Sequence, residues 1–365
     1  MTGENVMEYS DTYKAYMGMA PKKIPHWEHW SNPDAETYLT GIDYYEHPRL
    51  CRQKLAELYP QLGLGIPGTD DPRPRPTGDN VANHTVRWGD GQTATWEHGE
   101  QFHDEDDVFA FSPLAHGNFS DMPSVVEASD FSSYEVIRDR YKSWYGAENY
   151  GKPAPEGSTA SVGFYNTTFM WPLLTFGWEL FLETCLDDRF ERIMDEFAEI
   201  NRRVFKVFSE LPVNFVICHD DIVNSRGPIC SPEWMKKYVF PRYEEYWSMV
   251  KAAGKRVIFM VDGNVDQYAD DIFACGASGI ISEPYTNYKA IAKKHKDCFL
   301  AGEGDNRILQ TCDKALIHKM VDSMVETAHM TGGYMMCIGN HIPWNVPGEG
   351  IKYYLDYAAE KAVRD

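Results

Sequence analysis

Arg256-Val-Ile-Phe-Met-Val-Asp-Gly-Asn264 is a β-branched apolar run that stops on an acid, a glycine and an asparagine. A run of this kind, without polar alternation, predicts a strand buried on both faces in a parallel sheet, with Asp262 at its carboxyl end. Three more follow it, Gly279-Ile-Ile-Ser-Glu283, Cys298-Phe-Leu-Ala-Gly-Glu303 and Gly333-Tyr-Met-Met-Cys-Ile-Gly-Asn-His341, each ending in a residue able to bind a metal or move a proton. Helical segments separate them, and strand after helix after strand means parallel connections. The expected fold is therefore α/β, a single (β/α)8 TIM barrel over 1–365, whose strand ends gather on one face and carry the active site.

Upstream of the opening run the same beat is weaker. Val213-Asn-Phe-Val-Ile-Cys218 reads as a strand that ends on His219-Asp-Asp221, and Ser231-Pro-Glu starts a helix expected to run to Ala253. Glu183 to Leu211 reads as a helix pair, with Phe190, Ile193, Phe197, Ile200 and Val204 at helical spacing. Trp171, Leu174, Trp178 and Phe181 share one helical face, which is either a core stripe or an aromatic substrate wall. Asn166 precedes this stripe and is taken with Trp171 as a candidate substrate contact. Near the start, Lys22 to Trp30 is a candidate first strand that would bring Glu28 or His29 to the barrel mouth, although Pro25 suits a strand's beginning or edge.

Between these parts lies a long polar and aromatic stretch. Pro48 to Leu62 has helical spacing and then dissolves into Gly63-Leu-Gly-Ile-Pro-Gly68, a formal GxGxxG without the strand and helix that a dinucleotide site needs. Residues 63–157 are read as an insertion capping the barrel, added to an N-terminal extension. Within it, Thr85-Val-Arg-Trp and Thr93-Ala-Thr-Trp, joined through Gly-Asp-Gly, predict a hairpin, and His103-Asp-Glu-Asp-Asp107 reads as a solvated acidic face.

Composition narrows the partners. A formal net charge of -20 without a Lys/Arg cluster excludes nucleic acid and disfavours anionic membranes. Eight cysteines without a CxxC pair point to reduced thiols in a cytoplasm, and the amino terminus shows no signal-like apolar core. The Asn-x-Ser/Thr matches at Asn83, Asn118 and Asn166 are then chance.

The chemistry concentrates at strand ends. Asp262, Glu283 and Glu303 fall about twenty residues apart (262 to 283 is 21, 283 to 303 is 20), and acids converging on one ring repel unless a cation joins them. Zinc accepts such oxygen and nitrogen donors, and a catalytic zinc keeps one position open. The expected ligands are Asp262, Glu283, Glu303 and His341, with Cys337 and His219 in reserve. Asp220 and Asp221 would orient His219, bind polar groups of the substrate, or cap a helix.

The order of several motifs resembles the uroporphyrinogen decarboxylase superfamily: Ile24-Pro-His-Trp-Glu, His219-Asp-Asp, Gly227-Pro, Ser231-Pro-Glu-Trp-Met-Lys-Lys-Tyr-Val-Phe-Pro-Arg242, Val257 to Asn264, Ala301-Gly-Glu-Gly-Asp305 and Gly339-Asn-His-Ile-Pro343. The resemblance implies a (β/α)8 barrel and either a heme-pathway decarboxylase or a corrinoid-linked methyltransferase. Decarboxylases of the family carry arginines after the first strand, where this chain has Trp27-Glu-His-Trp-Ser. Thiol-directed methyltransferases of the family end the strand matching Val257 to Gly263 in His-x-Cys, where this chain has Met260 and Asp262. What remains is similar to the methyltransferases that demethylate methoxylated aromatics, for which Thr40 to Pro48 and the aromatic insertion also speak. A hard, oxygen-rich zinc site suits activation of an ether oxygen.

The resemblance thus implies a zinc-dependent O-demethylating methyltransferase that passes methyl groups to the cob(I)alamin of a corrinoid protein in anaerobic one-carbon metabolism, with a homodimer as one possible assembly. The alternatives are methyl transfer from the corrinoid to a pterin or thiol, a cofactor-free decarboxylase, and a non-catalytic corrinoid- or tetrapyrrole-binding protein.

Overall fold

The computed structural model describes residues 8–30, 32–75, 101–122 and 128–364, together with two short strands, Thr85–Arg87 and Thr93–Thr95. These two pair antiparallel as the predicted hairpin. Its Gly-Asp-Gly turn and Asn83 lie outside the described residues. The chain divides into two compact units, one made of 96–280 and the other of 1–95 with 281–365.

In the 96–280 unit, β1 (Ser161–Phe164), β2 (Phe215–His219) and β3 (Arg256–Met260) are neighbouring parallel strands. β3 is the apolar run quoted above, and Val257, Ile258 and Phe259 are wholly buried. The register sets His219 opposite Met260, so the ends of β2 and β3 lie level. β4 (Gly279–Ile281) closes this stretch of chain.

Two long helices back the strands. α1 (Met170–Thr184) carries the aromatic stripe, and α2 (Phe190–Glu210) buries the predicted Phe190, Ile193, Phe197, Ile200 and Val204. Trp171 is fully buried, stacks on Phe197 at 5.3 Å between ring centroids, and donates its indole N–H to Asn201 at 2.8 Å. It is a core residue, which settles the stripe against the substrate wall. Trp178 leaves the stripe and is exposed, because Gly177 takes a φ of 86° inside α1 and breaks the helical phase. The helix expected from Ser231 to Ala253 is likewise two, α3 (Pro232–Tyr238) and α4 (Phe240–Ala252). Pro241 explains the break: it lacks an N–H, and its ring crowds the preceding turn.

The described part of the expected cap packs on this helical layer. Phe119 and Phe131 lie against Trp171, and Tyr141 of the helix Tyr134–Tyr145 lies edge-on to Phe208 of α2.

In the other unit, β5 (Phe299–Ala301) pairs parallel with β6 (Gly333–Met335). The first candidate strand runs parallel beside the chain of β6, with bridges from His26 to Met336 and from Trp30 to Ile342. It forms bridges rather than a full ladder, consistent with Pro25. Alternation holds from His26 onward: His26, Glu28 and Trp30 are buried and Trp27 and His29 are exposed, while Ile24 and Pro25 before them are both buried. No described helix is long and apolar enough to cross a membrane.

Candidate metal centre at the ends of β2 and β3

Past β2 and β3 the chain brings three donors together. His219, Asp221 and Asp262 each offer one ligand atom, all within 4.8 Å of one another and all half-buried. Backbone pleating selects them. Ile217, His219 and Asp221 alternate onto one face, whereas Cys218 and Asp220 are wholly buried on the other.

Short bonds lock the group. His219 Nε2 lies 2.9 Å from Asp221 Oδ1, and the same oxygen accepts the Asp262 backbone N–H at 2.9 Å. Burial alone would push the His219 imidazolium down, but the Asp221 hydrogen bond and the charges of Asp221, Asp262 and Asp220 outweigh it, raising its pKa above the ordinary histidine value. The group therefore attracts a cation, and the proton shared by His219 and Asp221 stands where a metal would compete. One imidazole with two carboxylates fits zinc's donor preferences and leaves a position open.

Gly263 holds Asp262 in place. It takes a φ of 120°, and a Cβ there would meet the Asn224 carbonyl carbon at 2.5 Å. Asn224 belongs to a small ribbon, Val223–Asn224 with Gly227–Pro228, and its carbonyl accepts from the Asn264 N–H at 2.9 Å. Gly263→Ala is thus expected to cost about 1–3 kcal/mol through the left-handed backbone and the clash, and to lower bound metal. Thermal melting with metal analysis checks both; an unchanged melting temperature would contradict the close approach.

Asp220 faces away from this group and serves the fold. Its Oδ1 accepts from the Met170 N–H and its Oδ2 from the Phe169 N–H, each at 2.7 Å, and Tyr243 donates its hydroxyl to Oδ2 at 2.6 Å. Burial pushes its pKa up to about 7 even though these three donors pull it down. The expectation that Asp220 orients substrate is replaced by a buried anchor for the start of α1.

The remaining candidates occupy other settings. Of the four expected ligands only Asp262 belongs to the group, and His219 joins it from reserve. Glu303 is taken up inside its own unit by the Tyr334 hydroxyl at 2.8 Å and by Thr327 and Ser323 of α5 (Lys314–Met330) at 3.1 and 3.3 Å. Burial raises its carboxyl despite these donors. Glu283 is half-buried two residues past β4. His341 lies with its ring 5.7 Å from that of His29 and its Nδ1 at 2.6 Å from Asn340 Oδ1; burial first, and His29 second, push it down to about 4. The Cys337 thiol is buried and pushed well above its ordinary value.

Glu28 is no mouth residue either. It is buried in a network that accepts from Tyr354 at 2.6 Å and the Ile338 N–H at 3.0 Å, with His26 Nε2 at 2.7 Å. Asn166 is fully buried two residues past β1, in phase with Val162 and Phe164, and its amide has no partner among the described residues. Tyr165, which alternation turns the other way, is the residue that the sequence reading missed. Its ring meets that of His219 at 4.3 Å, edge to face. Continuing the Val162, Phe164 alternation by one residue would have found it.

Comparison with known proteins agrees with this architecture. No curated protein sequence matches the chain. Among solved structures, a methyltransferase from Methanosarcina mazei superposes with a TM-score of 0.55 at 13% identity, covering 97% of this chain and 99% of that one. A D-psicose 3-epimerase from Clostridium cellulolyticum H10, solved with D-tagatose, gives a TM-score of 0.35 at 10% identity over 64% of this chain and 86% of that one. The first likeness shows the fold, an α/β barrel of parallel strands and helices. The model of the family described as uroporphyrinogen decarboxylase (URO-D) matches residues 175–361, more than half of the 365. Strand ends and barrel fold thus converge with that match: the chain belongs to the uroporphyrinogen decarboxylase (URO-D) family.

Proposed function

We propose that the protein is a zinc-dependent methyltransferase that removes the methyl group of a methoxylated aromatic compound and transfers it to the cob(I)alamin of a partner corrinoid protein. The observation that carries this reading is the group of His219, Asp221 and Asp262, one imidazole and two carboxylates at level strand ends. A zinc ion bound there would polarise the ether oxygen as a Lewis acid. The oxygen-rich donor set suits that task better than thiolate ligands do.

The chain's own residues divide the remaining work. Asp221 holds His219 and the Asp262 backbone in one arrangement. The Tyr165 ring beside His219 supplies a flat apolar surface for an aromatic substrate. The fold supports a methyltransferase through its likeness to the Methanosarcina mazei enzyme.

Purified protein given reduced corrinoid protein and a panel of methoxylated aromatics is expected to form the methylated corrinoid and the matching phenol, and to contain zinc. Full demethylation by metal-free protein would overturn the Lewis-acid role. Methyl transfer only from a methylated corrinoid to a folate or thiol would overturn the direction of transfer.

A further inference from the structure

A cleft lies wholly within the unit made of 1–95 and 281–365, shares no residue with the group at His219, and has a volume of about 380 Å³. Trp30, Tyr44, Ile66 and Pro67 wall it, and Arg52 and Arg73 bring two guanidinium groups to it. Both lie over the Tyr44 ring, at 5.8 and 5.7 Å from its centroid. Their electrostatic situations differ.

Arg52 is neutralised by Glu36, whose buried carboxylate it grips through Nε and Nη2, each at 2.5 Å. Arg75, two residues after Arg73, pairs with Asp43. Arg73 has its backbone N–H fixed on the Tyr45 carbonyl at 2.7 Å, and its Nη1 donates to the Tyr44 hydroxyl at 3.2 Å. Among the described residues no carboxylate pairs with it. In a chain with a net charge of -20, a cation with no carboxylate in ion-pair contact, reached only by the charge of the Glu36 that Arg52 already holds, is conspicuous at the rim of this cleft. One carboxylate against two guanidinium groups leaves the cleft with a single positive charge.

We propose that this cleft binds a small monocarboxylate, its carboxylate on Arg73 and the rest of the molecule beside Tyr44 and Ile66. A guanidinium presents a planar fork of N–H donors that matches a carboxylate, and one uncompensated charge calls for a monoanion. The single uncompensated charge disfavours inorganic phosphate, and the volume lies within the range of small-molecule sites.

Calorimetric titration of the full-length protein with benzoate tests it. Saturable binding is expected, weakened about 10-fold or more by Arg73→Gln, the loss of one charge-assisted contact. Arg73→Lys, which keeps the charge and loses the fork, should weaken it less. Benzamide, of the same shape without the charge, should not bind, and His219→Ala should bind benzoate as the wild type does. Absence of saturable benzoate binding, or an affinity unchanged in a folded Arg73→Gln variant, overturns the proposal. So does loss of binding in His219→Ala, which would place the benzoate at the other site. None of these readings depends on methyl transfer, so failure here and failure of the proposed activity are separable.

Discussion

Asp262→Ala is expected to strip the protein of zinc and to reduce methyl transfer by about 100-fold or more, because even outer-shell partners of metal ligands cost 10–100-fold when removed. His219→Ala and Asp221→Ala should behave alike, since all three donor atoms lie within 4.8 Å of one another. Folding should be little affected by the Asp262 change. Its side chain is half-buried, and it is its backbone N–H, retained in the variant, that binds Asp221. Glu303→Gln and His341→Ala supply the contrast and should retain zinc. Metal analysis of the five purified variants decides: zinc lost from Glu303→Gln or His341→Ala but kept in Asp221→Ala would refute the geometric group and restore the ligands expected from strand ends alone.

That contrast shows which features of the fold could be read in the sequence. The strand at 256–260 and its parallel neighbours follow from apolar runs interrupted by helical spacing, a signal that burial on both faces makes strong. Which way a side chain points beyond a strand is a question of parity, and glycines alter it. Asp262 and Glu303 each stand two residues past the end of a strand. Before Asp262 the extended alternation is intact, and Gly263, with φ at 120°, comes only after it. Before Glu303 comes Gly302, with φ at 100°, where a Cβ would lie 1.8 Å from the Ser282 carbonyl oxygen. That turn sends the carboxylate to Tyr334 and the hydroxyls of α5. Equal spacing along the chain therefore concealed two different local settings. The Asp220-Asp221 pair was decidable by period-two alternation from His219, as was Tyr165 from Val162 and Phe164. By contrast, the Arg52 and Arg73 cleft depends on a loop folding over Tyr44, and no local periodicity announces it.

Asp220→Ala is expected to be the most destabilising single change near the site, at about 3–5 kcal/mol, the range for removing one partner from a buried charged network. The carboxylate is wholly buried and accepts three hydrogen bonds. Alanine would leave two backbone N–H groups at the start of α1 and the Tyr243 hydroxyl without their acceptor, each a buried donor that water cannot reach. Asp220→Asn keeps the shape but turns an NH2 group toward donors, so it should fall between alanine and the wild type. Tyr243→Phe removes one donor and leaves two, at about 1 kcal/mol by the ordinary worth of a hydrogen bond. Urea and thermal midpoints for the three variants measure this order. The same turn carries Tyr165 and Thr167, whose N–H donates to the His219 carbonyl at 3.3 Å, so zinc content should decline only where this turn loosens. An Asp220→Ala protein with an unchanged urea midpoint and abolished activity would contradict the anchoring role and return Asp220 to the reacting groups.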